Sequence, residues 1–180
     1  MKKLTLIFCL TIAVLLGSSG VSWSADFQKG LAAAKSGDYA TALREFKPLA
    51  EQGHTIAQFF VGNIYRYGHG VPKNNKTAVK WYTLAAKQGD ATSQANLGYM
   101  VLAGKGVSQD YNTAAKWLKL AAKQGHARSQ YNLGLIYYGG LGGIKSSVLA
   151  LMWFEIAASS GHKKATKKIN LTSTTMSSLA

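Results

Sequence analysis

Trp117-Leu118-Lys119-Leu120-Ala121-Ala122-Lys123-Gln124-Gly125 is the middle of three versions of one phrase. The others, Trp81-Tyr82-x-x-Ala85-Ala86-x-x-Gly89 and Trp153-Phe154-x-x-Ala157-Ala158-x-x-Gly161, lie 36 residues to either side. Extending outward from the phrase, His54–Gly89, Asp90–Gly125 and His126–Gly161 align without a gap. A fixed period in this range marks stacked supersecondary units rather than one closed globule. Such stacks generally present surfaces that hold partners.

Within each unit, apolar residues recur at helical spacing twice, on either side of a glycine loop. The second unit predicts helices over about Asp90–Ala103 and Asp110–Gln124. Its loop, Gly104-Lys105-Gly106-Val107, matches Gly68-His69-Gly70-Val71 one unit earlier. The glycines there tolerate positive φ, and the valine is expected to tuck back against the helix pair. Asn74, Asp110 and Ser146 share the position just before each second helix and read as N-caps. Gly89, Gly125 and Gly161 read as the glycines that end each unit. Gly62, Gly98 and Gly134 align in mid-helix, where glycine costs up to ~1 kcal/mol relative to alanine. That repeated cost predicts helices crossing too closely for a Cβ, with Ala78, Ala114 and Ala150 facing the glycines. Trp81, Trp117 and Trp153 are expected to fill the junctions between hairpins.

The ends differ from the middle. Residues 26–53 form a shorter unit, in which Gly37-Asp38-Tyr39 replaces the long loop by a tight turn. Helices are predicted there over about Asp26–Lys35 and Tyr39–Gln52. Residues 162–171 begin another first helix whose partner never follows. Lys163, Lys164, Lys167 and Lys168 give it the polar face of a capping helix. Residues 172–180, rich in Ser and Thr, are expected to fray. The total is about nine helices after the leader: an all-α solenoid of antiparallel helix hairpins.

Met1-Lys2-Lys3, an apolar run from Leu4 to Leu16 and then Gly17-Ser18-Ser19-Gly20 follow the order of a secretory signal peptide. The run is shorter than the roughly 20 residues a membrane-spanning helix needs. Residues 1–25 are therefore assigned as a signal peptide cut near Ser24 or Ala25, with no transmembrane anchor after cleavage. The expected location is outside the cytoplasm, periplasmic or secreted. Cys9, the single cysteine, leaves with the leader, so packing alone must stabilise the exported chain.

Without Lys2 and Lys3, the basic residues number 19 against seven Asp and Glu, a net charge of +12. Such a charge attracts anionic partners. An acidic protein or peptide, an envelope glycan and anionic lipid all qualify, and nucleic acid ranks below them. Lys80 with Lys116, and Lys87 with Lys123, align on second helices. They read as a solvated surface or, alternatively, as a stripe for polyanions.

Catalysis finds little support. Seven carboxylates include no obvious acid–base pair, and His54, His126 and His162 share one repeat position, one or two units apart, as polar turn residues rather than metal ligands. No nucleophile elbow, phosphate loop or zinc-binding helix motif is present. No cofactor, metal or catalytic residue is assigned, and a hydrolase is only a remote alternative. Asn75-Lys76-Thr77 and Asn170-Leu171-Thr172 match the glycosylation sequon, a weak signal by itself.

Asn96-Leu97-Gly98, Gly104-x-Gly106-Val107, Ala114-x-x-Trp117 and Ala121-Ala122-x-x-Gly125 resemble the pattern of the Sel-one-like repeat family. That family is a branch of the tetratricopeptide-type helical hairpins. Gly30…Gly37-Asp38-Tyr39-x-x-Ala42 is similar to an ordinary tetratricopeptide unit. The likeness covers about Asp26–Leu171. It departs at Val101, where the family has Tyr, and at Gly143, where it has Val. The resemblance implies a right-handed superhelix and a non-catalytic scaffold that binds a partner protein or peptide on its concave face. A cationic binder of envelope polyanions is the alternative. In such stacks the first helices line the concave face. Alignment places Phe59, Asn63, Arg66, Tyr67, Tyr99, Arg128, Tyr131 and Tyr138 there as a basic, aromatic groove, with Ala95, Leu102 and Leu135 between them.

Overall fold

The computed structural model describes residues 24–177. Residues 1–23 of the predicted signal peptide lie outside the described residues, as do 178–180, whereas the expected cleavage positions Ser24 and Ala25 open the first helix. Among the described residues there are nine helices and no strand. They are α1 (24–36), α2 (Tyr39–Glu51), α3 (Thr55–Tyr67), α4 (Asn75–Lys87), α5 (Ala91–Leu102), α6 (Tyr111–Lys123), α7 (Ala127–Gly139), α8 (Ser147–Ser159) and α9 (Ala165–Ser177). From α2 onward, each helix packs chiefly on the one before and the one after it in the chain. The helix bounds expected for the second unit are met within a residue or so, with Asp90 and Asp110 as the caps.

Local chemistry sets the hairpin ends. Asn74 accepts from the Thr77 amide at 2.9 Å, Asp110 from the Asn112 amide at 2.9 Å, and Ser146 from the Leu149 amide at 3.2 Å. Gly89, Gly125 and Gly161 hold φ of 96°, 84° and 86° just past the helix C-caps. This left-handed turn lets the following residue donate back to Ala85, Ala121 or Ala157 at 3.2, 3.1 and 2.8 Å. The first alanine of each Ala-Ala pair is thus both a core residue and the acceptor that closes its helix. After Gly53, Gly89 and Gly125 the next residue then caps the following helix. His54 and His126 accept through Nδ1 from Ala57 and Ser129, and Asp90 accepts from Ser93.

The mid-helix glycines mark close approach, but their partners differ from expectation. A Cβ on Gly62 would sit 2.8 Å from the Tyr82 ring, one on Gly98 2.8 Å from Leu118 Cγ, and one on Gly30 2.6 Å from the Phe46 ring. Gly134 meets Phe154 in the same way. The facing residue is therefore the one directly after each tryptophan, not Ala78, Ala114 or Ala150. Those alanines are buried one turn earlier on the same helix. Glycine leaves the space that a large, fully buried side chain occupies. The tryptophans occupy junctions: Trp81, Trp117 and Trp153 pack on clusters that include the preceding helices.

Loops also tie neighbouring units together. Gly106 has φ 77°, and a Cβ there would strike the backbone of Asn75 at the start of α4. Val71 packs against the first core cluster, whereas Val107 is 37% exposed and does not tuck back. The Val101 and Gly143 departures leave the loop bond intact. The N-cap amide of Asn74, Asp110 or Ser146 reaches the carbonyl of residue 65, 101 or 137, so the bond needs no particular side chain.

A glutamine ladder crosses the repeats. Gln58, Gln94 and Gln130 are buried and donate to the carbonyls of Ala50, Ala86 and Ala122 at 3.0–3.1 Å. Gln88 and Gln124 then donate to Gln58 and Gln94 at 2.8 and 2.9 Å. Ser160 takes the third position of that series, and Gln130 Oε1 is left buried without a donor.

The last helix departs from expectation in both bounds. His162–Lys164 form a turn, α9 starts at Ala165, and it continues through Ser177 across the segment expected to fray. Ala165 and Thr172 are both fully buried, so the helix is held on its inner side over two turns. The Thr172 hydroxyl donates to the Lys168 carbonyl at 2.7 Å, which removes the cost of burying it.

Candidate binding groove

First helices α3, α5 and α7, with the edge of α1 and α2, enclose an open groove of about 700 Å³. Six of the eight expected residues line it: Phe59, Asn63, Arg66, Tyr67, Tyr99 and Arg128. Tyr131 and Tyr138 do not. Tyr131 stacks on His162 at 4.2 Å and approaches Phe154 at 5.6 Å, while Lys168 Nζ lies 5.5 Å from the Tyr138 ring. The turn before α9 and α9 itself engage both rings; Phe27 in the short unit meets His54 at 4.8 Å and Phe46 at 5.6 Å in the same way as Tyr131 meets His162 and Phe154.

Tyr99 is the centre of the groove's charge. The guanidinium carbons of Arg66 and Arg128 lie 5.5 and 5.4 Å from its ring centroid, and Lys105 Nζ lies 5.4 Å away. Those distances are within cation–π range. Arg66 Nη1 also donates to Asn96 Oδ1 at 2.6 Å, which fixes the guanidinium across the α3–α5 boundary. The same guanidinium carbon lies 5.1 Å from the Tyr67 ring centroid, and Tyr67 is 56% exposed. Among the described residues neither arginine forms an ion pair with a carboxylate, and none of the groove's lining residues is acidic.

Asn63 is tied down from behind. Its Oδ1 accepts from the Tyr82 hydroxyl at 2.6 Å. Burial pushes that phenol up to about 12, against the opposing influence of Arg66, so Tyr82 stays neutral and donates. Phe59 is half-buried against the second core cluster and Phe60, so it serves both core and groove wall.

Ala95 lines the groove as expected, whereas Leu102 and Leu135 do not, and the remaining lining residues were not foreseen. Asn96 and Asn132 occupy one repeat position, held by Phe60 in the first long unit, and that shared position is a signal alignment could have used. Tyr39 and His69 close one end, their rings stacked at 4.3 Å. They come from the short hairpin and a loop, which no repeat rule connects. His126 also lines the groove. Its burial, and then the charge of Arg128, hold the imidazole below the usual histidine range, as suits a ring whose Nδ1 accepts the cap hydrogen bond. The groove therefore offers guanidinium and amide donors, phenol rings and an apolar wall.

A stack of helix hairpins, each packing chiefly on its neighbours, defines an α-solenoid repeat protein. The Sel1 repeat model matches residues 55–90, 91–126 and 127–162, and the chain belongs to the Sel1 repeat family. Proteins of this family typically mediate protein–protein interactions and are generally non-catalytic scaffolds. The crystal structure of a Sel1 repeat protein from Oxalobacter formigenes superimposes with a TM-score of 0.75 at 34% identity, over 81% of this chain and 60% of that one. Cysteine-rich protein B of Helicobacter pylori shares the fold at 20% identity and a TM-score of 0.57, over 72% of this chain and 93% of that one. An exopolysaccharide production negative regulator of Rhizobium meliloti is 39% identical over 57 residues, 32% of this chain and 21% of the regulator. The chain thus spans about a fifth of that regulator's length.

Proposed function

We propose that the protein is an exported, non-catalytic scaffold whose groove takes an extended acidic segment of a partner protein. The observation that carries this reading is the convergence of Arg66 and Arg128 on Tyr99, with no carboxylate among the groove's lining residues. A folded protein that leaves two arginines unpaired in one groove offers bidentate sites for carboxylates from outside. Tyr67 and Tyr99 add rigid contact area for the backbone or aromatic residues of the same segment. The likeness to an exopolysaccharide regulator suits an adaptor role, although it covers few residues.

Capture of partners from a bacterial envelope extract by wild type and by Arg66→Ala/Arg128→Ala tests the reading. Two lost charge-assisted contacts should weaken binding about 100-fold or more. Retention of the same partners at the same affinity, with circular dichroism unchanged, would remove the groove from consideration.

A further inference from the structure

The outer face of the second helices carries a feature the groove does not use. Helices α4 and α6 expose Lys76, Lys80, Lys116 and Lys119 and contain no carboxylate. At the positions equivalent to Lys76 and Lys80, α8 has Val148 and Met152, which are 65% and 39% exposed. Ile144, in the loop just before α8, is 60% exposed. Four-residue spacing puts Val148 and Met152 on one face of α8, and Ile144 sits in the loop that leads into it. Leu141 and Ile144 line the same shallow depression as Lys116 and Lys119, so the apolar patch and the lysines adjoin. Glu155, the one carboxylate of α8, lies just beyond Met152 at the far edge of the patch.

We propose that this face docks on an anionic lipid bilayer. Ile144, Val148 and Met152 enter the boundary between headgroups and acyl chains, and the lysines of α4 and α6 lie against the headgroups. Charge complementarity selects this occupant. A second copy of the chain would bring one lysine band against another, and like charges repel. A polyanionic glycan answers the lysines but offers no hydrocarbon to the apolar residues. An acidic protein surface would favour the planar fork of arginine, and the groove is where Arg66 and Arg128 lie. Lysines are point charges on long flexible stems, suited to a fluid headgroup layer without fixed geometry. Neither a few apolar side chains nor a polybasic patch holds a protein on a bilayer alone, but the two together do.

The test uses the full chain with Cys9→Ser and Val148→Cys, the new thiol carrying an environment-sensitive dye. Tyr67→Cys, labelled likewise, serves as the groove control. Vesicles are phosphatidylcholine alone or phosphatidylcholine mixed with phosphatidylglycerol. With phosphatidylglycerol present, the dye at position 148 should shift to the blue and become shielded from a water-soluble quencher. The dye at position 67 should stay in water. Adding Lys116→Gln/Lys119→Gln should weaken the shift in affinity by roughly thirtyfold, and raising salt should weaken it further. Adding Arg66→Ala/Arg128→Ala should leave it unchanged, which keeps this proposal separate from the groove reading. The apolar stretch Leu4–Leu16 is present throughout and cannot imitate the result, because binding through it alone leaves position 148 in water. That outcome, equal response to pure phosphatidylcholine, or a shift given only by a soluble acidic peptide would each overturn the proposal.

Discussion

Gly98→Ala tests whether the repeats are set by close helix crossing. In an ordinary helix interior this change stabilises by up to ~1 kcal/mol, because alanine has less backbone entropy to lose. At Gly98 the new Cβ would lie 2.8 Å from Leu118 Cγ, 3.0 Å from Leu118 Cδ2 and 3.2 Å from the Leu118 backbone nitrogen. Leu118 is fully buried, so its side chain has no empty space to enter, and the backbone nitrogen moves only with α6. Overpacking of this kind costs about 1–3 kcal/mol, which outweighs the propensity gain and leaves a net loss of up to about 2 kcal/mol. For a chain of this size that is a fall in Tm of roughly 4–8 °C at most. Gly139→Ala in the last turn of α7 is the internal control. Its φ is not positive and the nearest atom is Leu141 Cγ at 3.4 Å, so the same substitution should be neutral or stabilising. Leu118→Ala alone should cost about 2–5 kcal/mol, yet combined with Gly98→Ala it should cost less than the sum, since the cavity receives the methyl group. Urea unfolding followed by circular dichroism reads all four variants. A Gly98→Ala protein as stable as the Gly139→Ala control would refute the close-crossing account.

Two further outcomes follow from the buried polar groups. Ser160→Gln should extend the glutamine ladder by giving Gln130 Oε1 its missing donor, raising stability by about 0.5–1.5 kcal/mol in the same urea assay. An unchanged or lower midpoint means the ladder does not propagate that way. Burial holds His126 and His162 below the usual histidine pKa, so the unfolded chain binds protons there more readily than the folded one. Stability should accordingly be complete above about pH 6.5 and decline as pH falls from there through the lower folded-state values. His126→Asp keeps an N-cap acceptor of the kind Asp90 provides and should flatten the Tm profile on the acid side. A profile as steep as wild type would show that His126 does not carry the effect.

Much of this architecture is legible in one dimension because a repeat states its own rules three times. Gly62, Gly98 and Gly134 cost stability as helix residues, and recurrence at the core period identifies them as packing positions. Asn74, Asp110 and Ser146 differ in chemistry but share the ability to accept an amide hydrogen bond, so alignment alone exposes the cap. The groove was partly legible for the same reason. Arg66 and Arg128 sit on first-helix positions that the core does not use, while Tyr99 packs on the second core cluster and also lines the groove.

What alignment could not supply were contacts between non-equivalent parts. Tyr131 and Tyr138 are equivalent to inner-face residues, yet the turn before α9 and α9 itself engage them, much as His54 meets Phe27 and Asn96 holds Arg66, and alignment does not say which such positions stay open. Tyr39 and His69 meet only because the short hairpin and a long-unit loop stack side by side. The glycines face Tyr82, Leu118 and Phe154 rather than the alanines one turn earlier, a choice made by how far α4, α6 and α8 slide along their partners. Period, polarity and capping are local properties of the chain and were decided residue by residue. Which large side chain fills each gap, and where the groove is closed off, depend on three-dimensional offsets between helices, which only packing determines.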